Sequence, residues 1–264
     1  MANDIENVEN NFLRFILGLK RSTPNAALKA ETGRYGLTFH RQVRIVKFWF
    51  KLLNTEPGKI LSVCYKLQYE RAERNIHCWA LQVKQMLCNL GFAEVWLQQG
   101  VANENVFLNI FKLRCKDIQK QNILSELTTF RKLDTYCGFK SSHCLNKYLY
   151  VIHNKIFRIV LSRFRLSSHV LRIEQCRWER IKPPRSERVC LICKSGQIED
   201  EYHMCLVCPE YNELREKFIP KYFFDPPVMY KFCQLMETEN EFLLNQLSRF
   251  IYFAFQRRDK LLAD

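Results

Sequence analysis

Between residues 190 and 208 the chain reads Cys190-Leu191-Ile192-Cys193, then His203, then Cys208, a C-x2-C-x9-H-x4-C spacing. Few patterns restrict a fold more tightly. Three thiols and one imidazole are the donor set of a closed tetrahedral metal site, and two cysteines two residues apart face one ion from a single turn. Lys194-Ser195-Gly196 supplies that turn, with Gly196 free to take positive φ. Pro209, directly after Cys208, suits the first turn of a helix. The expected ligands are Cys190, Cys193, His203 and Cys208, closing on one structural Zn²⁺. Cys205, two residues beyond His203, competes for the fourth position. The longer spacing favours Cys208, because His203 and the last thiol then converge from one helical turn.

The rest of the chain must fold around that loop. Of 264 residues 47% are apolar, and only 8 Gly and 8 Pro punctuate them, which favours long helices over a turn-rich β architecture. The expectation is a mainly α protein: a multi-helix domain over residues 1–165, a basic segment and zinc-binding module over 166–210, and C-terminal helices over 211–264 packing on the module. Apolar spacing predicts helices over 8–19, 39–53, 60–74 and 77–89. Thr23-Pro24 starts another, which Gly33 closes. A long helix or an abutting pair is expected over 103–133, with a break at Cys137-Gly138, then helix over 145–164. Beyond residue 208, helices are expected over 210–218, 229–236 and 241–262.

Twelve cysteines would suit a disulfide framework in a small secreted module, but the chain is long for one, and the acidic Asp4, Glu6 and Glu9 do not read as a secretory or mitochondrial leader. No apolar run reaches the ~18 residues of a membrane span. Reduced thiols in the cytosol or nucleus, and no membrane partner, are the expectation. Cys64, Cys78, Cys88, Cys115, Cys137 and Cys144 fall on apolar helical faces and read as small core residues.

The formal net charge is +14, which points to a polyanionic partner. Residues 155–188 hold ten basic and three acidic residues, half of that excess. Most are arginine, which grips phosphate bidentately and stacks on bases. The candidate nucleic-acid contacts are Arg158, Arg163, Arg165, Arg172, Arg177, Arg180, Lys182, Arg185 and Arg188. Trp178 and Phe164 are candidates to stack on unpaired bases, while Trp178 equally suits a core anchor beside the metal loop.

Catalytic signatures are absent. No two Asp are adjacent, so no Tyr-x-Asp-Asp polymerase site exists, and there is neither a P-loop nor a G-x-G-x-x-G fingerprint. Four protein ligands would leave a metal no open position for water. The only acidic cluster, Glu199-Asp200-Glu201, lies inside the metal loop, where it would shape the turn or neutralise arginine. The chain is therefore read as no enzyme by itself.

Several stretches together resemble one family. Ser22-Thr23-Pro24-Asn25-Ala26, Glu31-Thr32-Gly33-Arg34, Leu161-Ser162-Arg163-Phe164-Arg165, the Cys190/Cys193 pair, Glu201-Tyr202-His203, and Cys208-Pro209-x-Tyr211-x2-Leu214-Arg215 are similar to the region beyond the polymerase in non-LTR (LINE-type) retrotransposon proteins, which ends in a reverse-transcriptase-associated zinc-binding module. The resemblance runs from about residue 12 to 255. It implies metal ligation by Cys190, Cys193, His203 and Cys208, a grip on template RNA or target DNA, and a reverse-transcriptase polypeptide as partner. The family's endonuclease and polymerase parts have no counterpart in these residues. The middle spacing of nine also differs from the shorter gap of retroviral zinc knuckles. A helical protein-interaction scaffold with a purely structural zinc site is the competing reading.

Overall fold

The computed structural model describes residues 2–263, with side chains from Asp4 onward. It is helical throughout, and the described residues carry only isolated antiparallel bridges in place of sheet. The helices are α1 Ala2–Leu17, α2 Asn25–Thr32, α3 Leu37–Leu53, α4 Ile60–Glu73, α5 Trp79–Asn89, α6 Ala93–Leu97, α7 Glu104–Thr128, α8 Asp134–Phe139, α9 Tyr148–Val151, α10 Lys155–Arg165, α11 Arg172–Gln175, α12 Asn212–Phe218, α13 Lys221–Phe224, α14 Met229–Met236 and α15 Glu241–Ala263. The multi-helix region, the Cys/His loop and the C-terminal helices follow one another as expected.

Local chemistry sets the boundaries. α2 ends at Gly33, whose φ of 63° is left-handed and whose N–H closes on Lys29 O. A Cβ at Gly33 would lie 2.4 Å from the Leu145 nitrogen, so the position needs glycine twice over. The stretch 103–133 does not run to Cys137-Gly138. α7 stops where the Thr128 and Thr129 hydroxyls donate to Ser125 O and Glu126 O, and Gly138 lies inside α8. The stretch 145–164 is also divided, because Asn154 caps α10 by accepting from the Ile156 and Phe157 N–H groups.

The chain divides into two compact units, and not at residues 165 and 210. One comprises Met1–Glu6 with Tyr35–Asn122, the other Asn7–Arg34 with Ile123–Asp264. In the first, α3, α4, α5, α6 and part of α7 bury an aromatic core. Trp49 and Trp96 stack there with centroids 5.9 Å apart, and Trp49 donates to the Tyr65 hydroxyl at 2.7 Å.

In the second unit α10 packs along α15, with Phe157 against Tyr252 and Phe164 against Phe255. Cys190, Met204, Leu206 and Cys208 belong to the same core as Ala27 of α2, Phe164 of α10 and Phe250 of α15. The Cys/His loop is therefore not a separate bead, since so short a segment has too little apolar surface for a core of its own.

At the centre of this unit Glu31 and Arg165 form a fully buried ion pair at 2.6 Å. Tyr136 and Asn146 also donate to Glu31, and the guanidinium further donates to Met236 O. Burial pushes the Glu31 carboxyl up, but the Arg165 charge and these hydrogen bonds outweigh it and hold the group below its usual range.

Candidate metal centre

Backbone pairing closes the loop that carries the first two thiols. Val189 and Ile198 form an antiparallel bridge, and the Cys190 N–H donates to Gln197 O at 2.8 Å. Between these rungs the chain turns through Lys194 and Gly196, with φ of 51° and 73°, which brings Cys193 back beside Cys190. His203 arrives from the opposite side. Asp200 Oδ1 accepts the His203 N–H at 2.9 Å, and the Cys208 N–H bonds His203 O at 2.7 Å across five residues. That span is one π turn over His203–Val207, wider than an α turn. The width matches a spacing in which four residues separate His203 from Cys208.

The ligand atoms of Cys190, Cys193, His203 and Cys208 lie within 4.8 Å of one another. Cys193 Sγ stands 3.4 Å from His203 Nε2. An ion bonded at about 2.0–2.3 Å to a tetrahedron of such donors holds neighbouring donors roughly 3.5–3.8 Å apart, so these four residues could hold one metal ion. Assigning the Gln197 carboxamide oxygen to its 3.0 Å contact with His203 Nδ1 places the imidazole proton there and turns the Nε2 lone pair toward the thiols. A hydrogen bond from Cys208 draws Cys190 far below the thiol range, and the same bond pushes Cys208 up.

Cys205 is outside the group. It is buried in the core, its thiol raised to about 12 by burial, and its carbonyl accepts from Arg215 Nε at 2.9 Å. Arg215 also donates to Cys208 O at 2.8 Å and to Asn212 Oδ1. This guanidinium is buried beside the thiols, its partners are oxygens of carbonyl type, and no carboxylate pairs with it among the described residues. Burial lowers its pKa.

The acidic triplet divides its work. Glu199 receives Arg258 of α15 in two bonds, at 2.7 and 2.9 Å, and accepts the Arg172 N–H at the start of α11. Asp200 caps the His203 turn. Glu201 is buried against His169 Nε2 at 2.8 Å and accepts from Ser167 and Thr135. The sequence points to Glu199, Asp200 and Glu201 as turn-shaping or arginine-neutralising groups; their partners Arg258 and His169, and the role of Gln197, have no motif to announce them, and the Leu214-Arg215 stretch of the resemblance does not say what Arg215 does.

The basic segment is pinned onto the loop, and much of its charge is used there. Arg165 is buried with Glu31 and cannot reach a phosphate. Arg172 pairs with Glu179, and Arg177 and Lys132 share the buried Glu174. Arg185 lies 3.6 Å from Asp200 and 3.8 Å from Asp134. Arg188 donates to Pro183 O and Ile173 O, Arg158 to Ile152 O, and Arg163, though exposed, to Gly18 O. Arg180 and Lys182 are exposed, and among the described residues no acid pairs with either. Phe164 is buried in the core, so it is not available to stack on a base. Trp178 is 63% exposed, its indole N–H held by Glu174 Oε1, and so is not a core anchor.

The described cysteines are all free thiols. Cys78 and Cys115 are buried core residues and Cys137 is half-buried, but Cys64, Cys88 and Cys144 are exposed because they fall on outward helical or loop positions. No described helix is long and apolar enough to cross a membrane. No protein-family model, curated protein or solved structure matches the chain.

Proposed function

We propose that the chain is a non-catalytic nucleic-acid-binding protein whose second unit is completed by one structural Zn²⁺, and that it acts as does the post-polymerase region of the non-LTR retrotransposon proteins it resembles, gripping template RNA or target DNA beside a reverse transcriptase. The observation that carries it is the closed Cys190–Cys193–His203–Cys208 set with an exposed Trp178-x-Arg180-x-Lys182 edge leading into it. Three thiolates and an imidazole suit Zn²⁺ in a closed tetrahedral site. Zn²⁺ with three thiolates and a neutral imidazole carries one net negative charge, and the buried Arg215 supplies the matching positive one. Exposed Trp178 offers a π face to an unpaired base, and Arg180 and Lys182 meet the phosphates on either side.

The test is fluorescence anisotropy with labelled single-stranded RNA, single-stranded DNA and duplex DNA over a salt series, on zinc-loaded full-length protein. Trp178→Ala combined with Arg180→Gln and Lys182→Gln weakens single-strand binding roughly 10-fold or more and lowers the salt slope by about 1.4, at ~0.7 per phosphate contact. Wild-type binding no tighter than that of a neutral control protein overturns the reading.

One observation favours the scaffold alternative. Val8, Phe12 and Phe15 of α1 lie on one helical face at 67%, 60% and 79% exposure, a stripe that a protein partner or second copy would cover. Concentration-dependent self-association measured by light scattering, abolished by Phe12→Ser/Phe15→Ser, supports it; a monomer at every concentration counts against self-association.

A further inference from the structure

The first compact unit carries a positively charged surface independent of the metal loop. α3 contains 17 residues and no acidic one. At 100° per residue, Arg41, Phe48, Arg44, Lys51 and Lys47 fall within an arc of about 120°, and all five are exposed. The opposite face, with Val46, Trp49 and Phe50, is buried in the aromatic core. Among the described residues no carboxylate pairs with any of the four cations. Like charges three or four residues apart on a helix repel, so the helix offers nothing to offset them, and an anion from outside would.

The cationic stripe also borders a cavity. Arg41, Arg44, Phe48 and Trp79 line a groove of about 520 Å³. Phe48 and Trp79 meet edge to face with centroids 5.6 Å apart, and Phe48 remains 45% exposed. The one carboxylate in the lining, Glu6, accepts from the Thr38 N–H and hydroxyl. Cations along one wall with an aromatic floor are what a single strand requires: phosphates meet the guanidinium and ammonium groups while a base meets the ring.

We infer that the outer face of α3 is a second nucleic-acid contact, taking a single-stranded phosphodiester backbone along Arg41, Arg44, Lys47 and Lys51 and a base against Phe48. The inference rests on the nucleic-acid reading of the protein and adds a site to it. Neutralising the stripe with Gln at all four positions in the full zinc-loaded chain is expected to weaken binding of a labelled 20-nucleotide RNA or DNA strand at least ~10-fold and to lower the salt slope by about 2.8, at ~0.7 per phosphate. A charge-matched control, Gln at Lys59, Lys66, Arg71 and Arg74 on other surfaces of the same unit, is expected to change the slope by less than half of that. Phe48→Ala is expected to weaken binding with the slope unchanged.

Circular dichroism establishes folding of each variant. Should the fourfold change unfold the unit, Arg41→Gln/Arg44→Gln is measured instead, with an expected slope loss of about 1.4. Equal losses from the α3 and control variants overturn the inference, as does tighter uptake by anionic phospholipid vesicles than by either strand. If wild type binds and only the Trp178/Arg180/Lys182 variant loses affinity, the α3 site alone falls. If wild type binds no nucleic acid, the parent reading falls with it.

Discussion

Arg258, near the end of the last helix, holds both carboxylate oxygens of Glu199, nine residues after the first thiol of the metal loop. Both side chains are buried, and the pair ties α15 to the loop and, through the Arg172 N–H, to α11. Removing one partner of such a pair strands the other charge in a low-dielectric interior. Arg258→Met should therefore cost about 3–5 kcal/mol in denaturant unfolding. The double change Arg258→Met/Glu199→Leu should recover most of that loss. A single variant within ~0.5 kcal/mol of wild type would show the pair to be dispensable.

Metal content separates the competing cysteines. Protein purified without chelator should carry about one Zn per chain by elemental analysis. Cys208→Ser should lose it, while Cys205→Ser should keep it, because Cys205 lies in the core outside the donor group. Arg215→Met should retain a full complement at high zinc but bind roughly 10–100-fold more weakly in chelator competition, as expected for a group that supports the ligands without touching the ion. Equal zinc loss in the two serine variants contradicts the assignment.

The Glu31–Arg165 pair predicts an acid limb. In the folded protein Glu31 binds its proton less readily than in the unfolded chain, whose reference value is 4.5. Its contribution is thus fully present above that reference and is lost as pH falls through the depressed folded value. Glu31→Gln/Arg165→Met should unfold with a shallower pH dependence below about pH 4.5 than wild type. Identical slopes would assign the acid limb to other carboxylates.

The aromatic core of the first unit offers an independent control. Trp96 is buried, stacks on Trp49 and donates to Glu73. Trp96→Ala should cost about 3–5 kcal/mol through the cavity left behind. Zinc stoichiometry should not change, since the Cys190, Cys193, His203 and Cys208 cluster lies in the other unit. Parallel loss of zinc would mean that the two units unfold together.

Local rules carried the sequence reading a long way. Pro24 and Gly33 bracket α2, the apolar period marks α3, α4 and α15, and the clustering of Cys190, Cys193, His203 and Cys208 follows from spacing alone. The misplaced ends have short-range causes of a kind that apolar periodicity ignores, namely hydroxyl back-bonding by Thr128 and Thr129 and the side-chain cap of Asn154. Which of the arginines turn inward is hidden for a different reason. Arg165 and Arg158 look alike in a charge count, yet Arg165 meets an acid 134 residues away, and only the tertiary fold decides which guanidinium turns inward. Trp178 shows the reverse, an aromatic whose type suggests the interior and whose place is outside.

Cys190 and Cys208, both buried, stand where an ordinary core would place leucines, amid Met204, Tyr211 and Phe250. A metal held between them would act as an interior side chain that the gene does not encode. Its abundance in the surrounding solution would then become, by mass action, a term in the stability of helices far along the chain. Starving this protein of metal would then be a mutation without a change of sequence.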